Sequence, residues 1–137
     1  METNTSKPAK PDQFLQGYTI LVAEDEEFNY RYLQKLLSMR GCQTIWAKNG
    51  IEIFETINNN IDFDLVLMDI KMPKMDGYEA STKLKQILPD LPIIAQTAFA
   101  LYGDSEKAFE AGCDDYIAKP IMLNDLMAKL KFHLKLN

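Results

Sequence analysis

Polar or charged residues stand at the ends of four short apolar runs in this sequence: Glu24 and Asp25, Asp69, Thr97, and Lys119. Three carboxylates gathered within a few ångströms of one another would repel strongly unless protons or a cation compensated their charge. Oxygen ligands with open positions suit Mg²⁺, which usually keeps several waters and shares its coordination shell with a phosphate. A hydroxyl and an ammonium beside that cation would suit phosphate oxygens. These residue types therefore indicate phosphoryl chemistry, provided that the fold brings them together.

Each of these residues also has an ordinary structural explanation. Acids after a strand are often helix N-caps, so Glu24 and Asp25 could serve only as caps. Asp69 could likewise cap a turn. Lys119 could be a solvated loop cation, and Thr97 an ordinary residue at a strand end. For the structural explanation to be complete, four such coincidences would have to occur at one edge of the fold. Because that is less probable than a shared chemical role, the chemical interpretation is favoured.

Short apolar runs alternate with helical patterns from Tyr18 onward. Strands are predicted at residues 19–23, 42–47, 65–68, 93–96 and 116–118, and a helical pattern follows each of them. Such βα alternation implies a parallel sheet with helices on both faces. We expect an α/β, three-layer, flavodoxin-like (βα)5 fold with a parallel five-stranded sheet in the order 2-1-3-4-5. All strands then end at one edge, where the polar residues named above would meet.

Length and charge bound what this chain can be. Its 137 residues suit one domain, with residues 1–17 as a flexible leader or linker and residues 18–137 as the folded part. A formal net charge of −5 disfavours a nucleic-acid-binding surface. No apolar run approaches the roughly 18 residues that a membrane span requires, and the N-terminus does not resemble a signal peptide. We therefore expect a cytoplasmic domain without direct contact to nucleic acid or membrane.

The two cysteines, Cys42 and Cys113, have no metal-like spacing and suggest thiols in a reducing compartment. The expected strand order places them at opposite edges of the sheet. Four strand spacings of about 4.8 Å then separate them by roughly 19 Å. A disulfide needs Cα atoms within about 7 Å, so the two thiols should not pair within one molecule.

Four stretches resemble the response-regulator receiver domain of two-component signalling, over about residues 18–136. They are Ile20-Leu-Val-Ala-Glu-Asp25, Leu65-Val-Leu-Met-Asp-Ile-Lys-Met-Pro-Lys-Met-Asp-Gly77, Gln96-Thr-Ala98, and Ala111-Gly-Cys-Asp-Asp-Tyr-Ile-Ala-Lys-Pro120. The second stretch is highly specific to the family, and the Lys-Pro stretch is independently so. The segment over residues 97–107 looks most like receivers carried by hybrid sensor histidine kinases.

The resemblance implies a metal site and a phosphate acceptor. Asp69 would accept the phosphoryl group and also bind Mg²⁺. Asp25 would bind the metal directly, Glu24 would bind it through water, and the main-chain carbonyl of Lys71 would supply a further ligand. Glu24 stands where many family members have Asp. Since the longer side chain keeps the charge, metal binding should survive with altered water geometry.

The resemblance also implies a switch. Thr97 would hydrogen-bond the phosphoryl group, Lys119 would form an ion pair with it, and Tyr116 would change rotamer. The Lys119–Pro120 peptide bond would be cis, because aiming the lysine back into the pocket calls for a sharp turn. The implied phosphoryl donor is a histidine kinase or a histidine phosphotransfer protein, and the domain would be a monomer or weak homodimer.

These implications describe a phospho-accepting receiver that catalyses its own Mg²⁺-dependent phosphorylation and dephosphorylation without an external turnover substrate. A degenerate receiver that acts as a non-phosphorylated interaction module is the alternative, which the intact acids, Thr97 and Lys119 disfavour. An aspartyl-phosphate hydrolase would carry a second Asp two residues after the nucleophile, where this chain has Lys71. A flavin-binding module is disfavoured because no phosphate loop rich in Ser, Thr or Gly follows strand 1.

Helical spacing predicts an apolar stripe on the first helix: Phe28, Tyr32, Leu33, Leu36 and Leu37. Tyr30 would then turn partly outward near the pocket mouth, beside Glu26 and Glu27. An exposed aromatic beside charges can mark an interface, so Tyr30 is predicted to contact the donor protein. His133 is predicted to lie at the surface, on the polar side of the last helix.

Overall fold

The computed structural model describes residues 12–98 and 103–136 of the chain. The strands in these residues are β1 Thr19–Ala23, β2 Gln43–Ala47, β3 Leu65–Asp69, β4 Ile93–Thr97 and β5 Asp115–Ala118. The helices that alternate with them are α1 Glu27–Ser38, α2 Gly50–Asn58, α3 Gly77–Ile87, α4 Asp104–Glu110 and α5 Leu123–His133. None of the helices described is long and apolar enough to cross a membrane.

The strands form one parallel sheet in the order β2-β1-β3-β4-β5. This arrangement confirms the flavodoxin-like fold and the strand order expected from the βα alternation. Every residue of the central strand β3 is buried, as its continuous apolar run predicts. The register pairs Ala23 with Met68 and Asp69 with Gln96, so β1, β3 and β4 reach the same edge together.

Successive strand side chains point to opposite faces of the sheet and divide the core into two halves. One half lies against α1 and α5 and takes these residues from the central strands: Ile20, Val22, Leu65 and Leu67. The other half lies against α2, α3 and α4 and takes the alternate residues: Leu21, Ala23, Val66 and Met68. The three layers place the helices on both faces and leave the carboxyl edge of the sheet open for a site.

The buried face of α1 differs from the predicted stripe. Tyr30, Leu33 and Leu37 are the buried residues of this helix. Tyr32 was expected to face the core but is 46% exposed, and Phe28, which shares its helical spacing, is 84% exposed. The predicted orientations of Tyr32 and Tyr30 are therefore wrong, and the apolar residues of α1 divide between a buried and an exposed face.

The edge strand β2 explains which face of α1 is buried. The ring of Tyr30 stacks on that of Trp46 with centroids 4.6 Å apart and an interplanar angle of 3°. The Tyr30 hydroxyl also forms a 2.8 Å hydrogen bond with the hydroxyl of Thr44. Because β2 offers both a flat aromatic surface and a polar partner, Tyr30 packs inward.

Packing extends upstream of Tyr18, where the sequence predicts the domain to begin. Leu15 is fully buried in the core half beneath α1 and α5. Its backbone N–H donates to the carbonyl of Arg40 over 2.9 Å, and Lys131 Nζ lies 4.6 Å from the centroid of the Phe14 ring. Residues 12–17, the last part of the leader expected over residues 1–17, thus pack on the domain, while residues 1–11 lie outside the residues that the structure describes.

The structure also tests the predictions for the two cysteines, for the Lys119–Pro120 peptide bond and for His133. Cys42 and Cys113 are both buried free thiols, as the strand order predicts. The Lys119–Pro120 peptide bond is cis, as the resemblance implies. His133 is less exposed than predicted, because its side chain is only 10% exposed and its Nε2 lies 2.8 Å from Asp115 Oδ2. The last helix is therefore anchored to β5 by a polar contact that the sequence pattern did not indicate.

Candidate functional site

The predicted acids meet at the carboxyl edge of the sheet. Glu24, Asp25 and Asp69 each offer one carboxylate oxygen, and these atoms all lie within 4.8 Å of one another. Glu24 is 1% exposed and Asp69 is 5% exposed, whereas Asp25 is exposed to solvent. Together with Thr97 and Lys119 they line an open cleft of about 230 Å³. The structure thus brings together the strand-end residues that the sequence singled out.

Glu24 and Asp25 do not serve as side-chain caps of α1. The N-cap residue of that helix is Glu26, whose own side chain makes no capping hydrogen bond. Glu24 instead continues the β1 ladder, since its N–H donates to the carbonyl of Ala47 over 2.9 Å. Its Oε2 accepts a 3.2 Å hydrogen bond from the N–H of Glu26, which holds the carboxylate at the base of the cleft.

Asp69 ends β3 and is held from two sides. Its Oδ1 accepts a 3.1 Å hydrogen bond from the backbone N–H of Lys71, so it does support the following turn. Its Oδ2 accepts a 3.1 Å hydrogen bond from the ammonium of Lys119. Two donors that fix one carboxylate hold the side chain in a defined direction toward the cleft.

The charges in the cleft are unbalanced. Lys119 also lies 3.6 Å from Glu24 Oε1, so one ammonium faces two buried carboxylates. Burial lowers the pKa of Lys119, but the charges of Asp69 and Glu24 outweigh it and the pKa is raised. Burial, helped by the charge of Asp69, raises the pKa of Glu24 to about 7 despite Lys119. Ionising the whole cluster therefore calls for positive charge beyond what Lys119 supplies.

The donor set fits a small divalent cation. Every ligand atom of the acidic cluster is a carboxylate oxygen, and such oxygens are the ligands that Mg²⁺ prefers. Glu24 Oε1 is buried and has no hydrogen-bond partner among the described residues, although a buried polar atom normally has one. Lys71 lines the same cleft. Its main-chain carbonyl as a metal ligand stays a prediction.

Thr97 ends β4 and is 2% exposed. Its hydroxyl donates a 2.7 Å hydrogen bond to Oδ2 of Asp104, the first residue of α4. The other oxygen of that carboxylate accepts a 3.2 Å hydrogen bond from the hydroxyl of Tyr78 on α3. Asp104 also lines the cleft, although it is not among the site residues predicted from the sequence.

Gln96 is a second residue of the site that sequence reasoning missed. It is 1% exposed, and neither amide atom has a hydrogen-bond partner among the described residues. It lines the acidic cleft and also a neighbouring cavity of about 100 Å³ beneath α1. Its place directly after three apolar residues of β4, at positions 93–95, was the signal that could have found it.

Tyr116 lies outside the lining of the cleft. Its half-buried ring meets that of Phe109 edge-on, with centroids 5.9 Å apart, and Lys129 Nζ lies 5.5 Å from its centroid. The register pairs Tyr116 with Ala95, two residues before Thr97. The residue is therefore a neighbour of the site, and its predicted rotamer change stays a prediction.

The sheet order and the polar groups on its carboxyl edge together define a flavodoxin-like receiver fold. The sequence matches the response regulator receiver domain family over residues 20–131, and the chain belongs to that family. This finding confirms the resemblance that the four sequence stretches carry.

Two relatives show receivers in different settings. The chain is 42% identical over 110 residues to hybrid signal transduction histidine kinase I of Dictyostelium discoideum, which covers 74% of this chain and 6% of that protein. It is 36% identical over 118 residues to the polar-differentiation response regulator DivK of Brucella anthropi, covering 85% of this chain and 95% of that protein. The chain thus spans a small part of the first relative and nearly all of the second.

Solved structures agree with the family. The receiver domain of a sensor histidine kinase from Pseudomonas aeruginosa PAO1, with magnesium coordinated in its active-site cleft, has a TM-score of 0.80 and 32% identity, covering 87% of this chain and 98% of that one. The receiver of the Saccharomyces cerevisiae response regulator Ssk1, crystallised with the histidine phosphotransfer protein Ypd1, has a TM-score of 0.77 and 27% identity. That match covers 85% of this chain and 88% of the yeast chain.

Proposed function

We propose that this domain is a phospho-accepting signalling receiver in which Asp69 takes a phosphoryl group from a phosphohistidine donor and the domain then changes conformation. The observation that carries the proposal is the Asp69 carboxylate, which Lys71 N–H and Lys119 hold at the base of a solvent-open acidic cleft. A cytoplasmic location and a monomeric or weakly dimeric state stay predictions.

The proposed step is an in-line displacement at phosphorus. One oxygen of Asp69 forms the new P–O bond while the P–N bond to the donor imidazole breaks, and the bonding electron pair returns to the imidazole nitrogen. Lys119, already 3.1 Å from the acceptor carboxylate, neutralises charge on the transferring group. Thr97 lines the same cleft and offers its hydroxyl to a phosphoryl oxygen.

Mg²⁺ is the proposed cofactor, held by Asp25, Asp69 and the main-chain carbonyl of Lys71, with Glu24 acting through water. When bound, it supplies positive charge that offsets the repulsion between the acceptor carboxylate and the phosphoryl oxygens. Two observations support this assignment: the cluster contains only oxygen ligands, and Glu24 Oε1 has no hydrogen-bond partner among the described residues.

Added Mg²⁺ should stabilise the folded domain, because the ion binds a carboxylate cluster that only the folded chain assembles. At tenfold excess over its Kd, the gain in free energy of unfolding would be about 1.4 kcal/mol, or roughly 4–6 °C in Tm. Asp25→Asn should lose most of this gain. Asp90→Asn is the matched control, since Asp90 is exposed and precedes β4 at the opposite edge of the sheet. Equal Mg²⁺ shifts in both variants would contradict the assignment of Asp25.

The proposed partner is a protein that carries a phosphohistidine, docked on the rim of the cleft. Exposed apolar side chains stand on the two segments that leave the site: Phe28 at 84%, Tyr32 at 46% and Met122 at 65%. Phe28 and Tyr32 lie four residues apart and so share one side of α1. The Tyr32 hydroxyl donates a 2.8 Å hydrogen bond to the carbonyl of Ile121, which joins α1 to the segment before α5. The yeast receiver crystallised with a histidine phosphotransfer protein supports this kind of partner.

Phe28→Ala should slow phosphoryl transfer from a phosphohistidine protein by about tenfold, because an exposed aromatic at an interface centre is a common binding hot spot. Transfer from acetyl phosphate, which needs no docking surface, should stay within about twofold of wild type. Phe28 replaces Tyr30 as the residue to test, since Tyr30 is buried and its truncation would damage packing against Trp46. The rates are measured by phosphoprotein gel or intact-mass analysis.

Phe132→Ala is the matched control for that experiment. Phe132 is 76% exposed and lies near the carboxyl end of α5, whereas Phe28 lies near the amino end of α1 beside the cleft. Slowing by Phe132→Ala but not Phe28→Ala would assign docking to another surface. Equal slowing of Phe28→Ala with both donors would mean that the pocket itself had been damaged.

A further inference from the structure

The carboxylate of Asp104 connects three elements around the cleft. Oδ2 accepts the hydroxyl hydrogen of Thr97 at the end of β4 over 2.7 Å. Oδ1 accepts that of Tyr78 in the first turn of α3 over 3.2 Å. Asp104 is itself the first residue of α4. One side chain therefore ties the start of α4 to both the sheet and α3.

The bond to Asp104 commits the hydroxyl hydrogen of Thr97. A hydroxyl has one hydrogen to donate, so it cannot serve the Asp104 carboxylate and a phosphoryl oxygen fully at once. A hydrogen bond to a charged acceptor is stronger than one to a neutral acceptor, so breaking it is costly. Thr97 must therefore give up Asp104 before it can stabilise a phosphoryl group on Asp69.

Electrostatic repulsion also disfavours having the Asp104 carboxylate and a phosphoryl group beside Thr97 at the same time. Asp104 lines the same cleft as Asp69 and Glu24, so its carboxylate adds negative charge there. A phosphoryl group on Asp69 brings further negative charge into this space. Like charges at such distances repel, which disfavours the Asp104 carboxylate in its present place once Asp69 is phosphorylated.

We propose that Asp104 is a positioning residue that holds the receiver in its unphosphorylated conformation by accepting the hydrogen bond of the Thr97 hydroxyl. The proposal rests on the proposed phosphorylation of Asp69 and names a residue that regulates it. After phosphorylation, the Thr97 hydroxyl donates its hydrogen bond to a phosphoryl oxygen instead of the Asp104 carboxylate, and Asp104 is released. The bound and released forms are two states whose populations the phosphoryl group shifts.

Release of Asp104 would reach the outer surface through α4. The helix begins at Asp104, and its Phe109 meets the ring of Tyr116 on β5. Phe109 is also 49% exposed, so one face of this residue is available to a partner. Freeing the first turn of α4 therefore alters the position of an exposed aromatic that contacts Tyr116.

Asp104→Ala should favour the phosphorylated conformation. Losing a charged acceptor shifts such an equilibrium by about tenfold or more. We expect beryllofluoride, which mimics a phosphoryl group on a carboxylate, to bind the Mg²⁺-loaded variant about tenfold more tightly than wild type. Acetyl phosphate should label the variant faster in the same ratio. Unchanged or weaker beryllofluoride binding would overturn the proposal.

Glu106→Ala is the matched control, because it removes an exposed acid from the same first turn of α4. Its beryllofluoride affinity should stay within about twofold of wild type, since Glu106 does not line the cleft. An equal gain in both variants would mean that general charge or helix stability is responsible, and the proposed role of Asp104 would fail.

Repeating the Asp104→Ala substitution in a Thr97→Val variant separates the action of Asp104 through Thr97 from simple charge repulsion. In Thr97→Val there is no hydroxyl for Asp104 to hold, so adding Asp104→Ala should raise beryllofluoride affinity by much less than tenfold, with only the relief of charge repulsion left. Residues that act through one another give non-additive changes of this kind. A full tenfold gain in the Thr97→Val background would overturn the role through Thr97. Failure of the wild-type domain to bind beryllofluoride or accept phosphate at all would instead count against the proposed function.

Discussion

Asp69→Asn should abolish phosphorylation of this domain by every donor. The carboxamide lacks the anionic oxygen that attacks phosphorus. The carboxylate that the N–H of Lys71 and the ammonium of Lys119 hold in the cleft is that of Asp69. Intact-mass analysis after incubation with acetyl phosphate and Mg²⁺ should show one added phosphoryl group on wild type and none on the variant. Excess chelator should suppress labelling of wild type as well, because it would remove the Mg²⁺ that the three clustered carboxylates are proposed to bind.

Loss of folding should not account for that result. Asp69 lies beside Glu24 in a cluster short of positive charge, so removing one carboxylate relieves repulsion. The thermal unfolding midpoint of Asp69→Asn in the absence of Mg²⁺ should therefore equal or exceed that of wild type. Asp62→Asn, an exposed acid before β3, is the control that keeps the label.

The outcomes separate the competing functions. Labelling that persists in Asp69→Asn would place the acceptor elsewhere and refute the proposed site. A wild-type domain that binds its partner but never becomes labelled would favour the degenerate receiver, which signals without phosphate. Neither result is expected from a carboxylate held between the N–H of Lys71 and the ammonium of Lys119.

Gly77→Ala should destabilise the fold by about 3 kcal/mol, at the upper end for overpacking a well-filled interior. Gly77 donates its N–H to the carbonyl of Ile70 over 2.8 Å, which brings two backbone segments together. A Cβ at this position would overlap the carbonyl oxygen of Asp69 and lie 2.8 Å from the Cα of Ile70. Backbone atoms cannot swing aside as a side chain can. Helix propensity alone would favour Ala by about 1 kcal/mol, so the sign of the change tests the close approach.

Gly103→Ala is the comparison that separates close approach from backbone strain. Gly103 has φ of +90°, which strains any L residue, but among the described residues its added Cβ would meet the flexible end of Glu106, at 3.5 Å. We expect a cost of about 1–2 kcal/mol there, below that at Gly77. Urea unfolding midpoints measure both variants. A Gly77→Ala domain as stable as wild type would contradict the role assigned to the close contact.

Gly77 also connects stability with function. The carbonyl that the methyl group of Gly77→Ala would displace belongs to Asp69, the proposed phosphate acceptor. Any shift that accommodates a methyl group there moves the backbone that carries the acceptor. We therefore expect the residual folded fraction of Gly77→Ala to accept phosphate from acetyl phosphate more slowly than wild type.

The sequence by itself determined the layers, the strand order and most of the site. Periodicity identified the strands, and short βα alternation leaves few ways to arrange them. Once the sheet is parallel, the residues at strand ends must share one edge. The residues Glu24, Asp69, Thr97 and Lys119 could therefore be brought together from their positions in the chain alone.

The orientation of α1 was decided only by the tertiary structure. Its apolar residues lie on more than one face, so periodicity allows either Phe28 or Tyr30 to face the sheet. The choice depends on Trp46 and Thr44 of the neighbouring strand, which accept the Tyr30 ring and hydroxyl. No local pattern in α1 contains that information.

Contacts between distant segments were likewise visible only in the folded domain. Asp104 reads as an acid in the first turn of a helix, yet it binds the hydroxyls of Thr97 and Tyr78. Gly77 reads as a turn residue, yet its space is limited by the backbone of Asp69. Strand-end positions follow from local periodicity. The partners of a side chain, and the space around a glycine, depend on surfaces that meet only when the chain has folded.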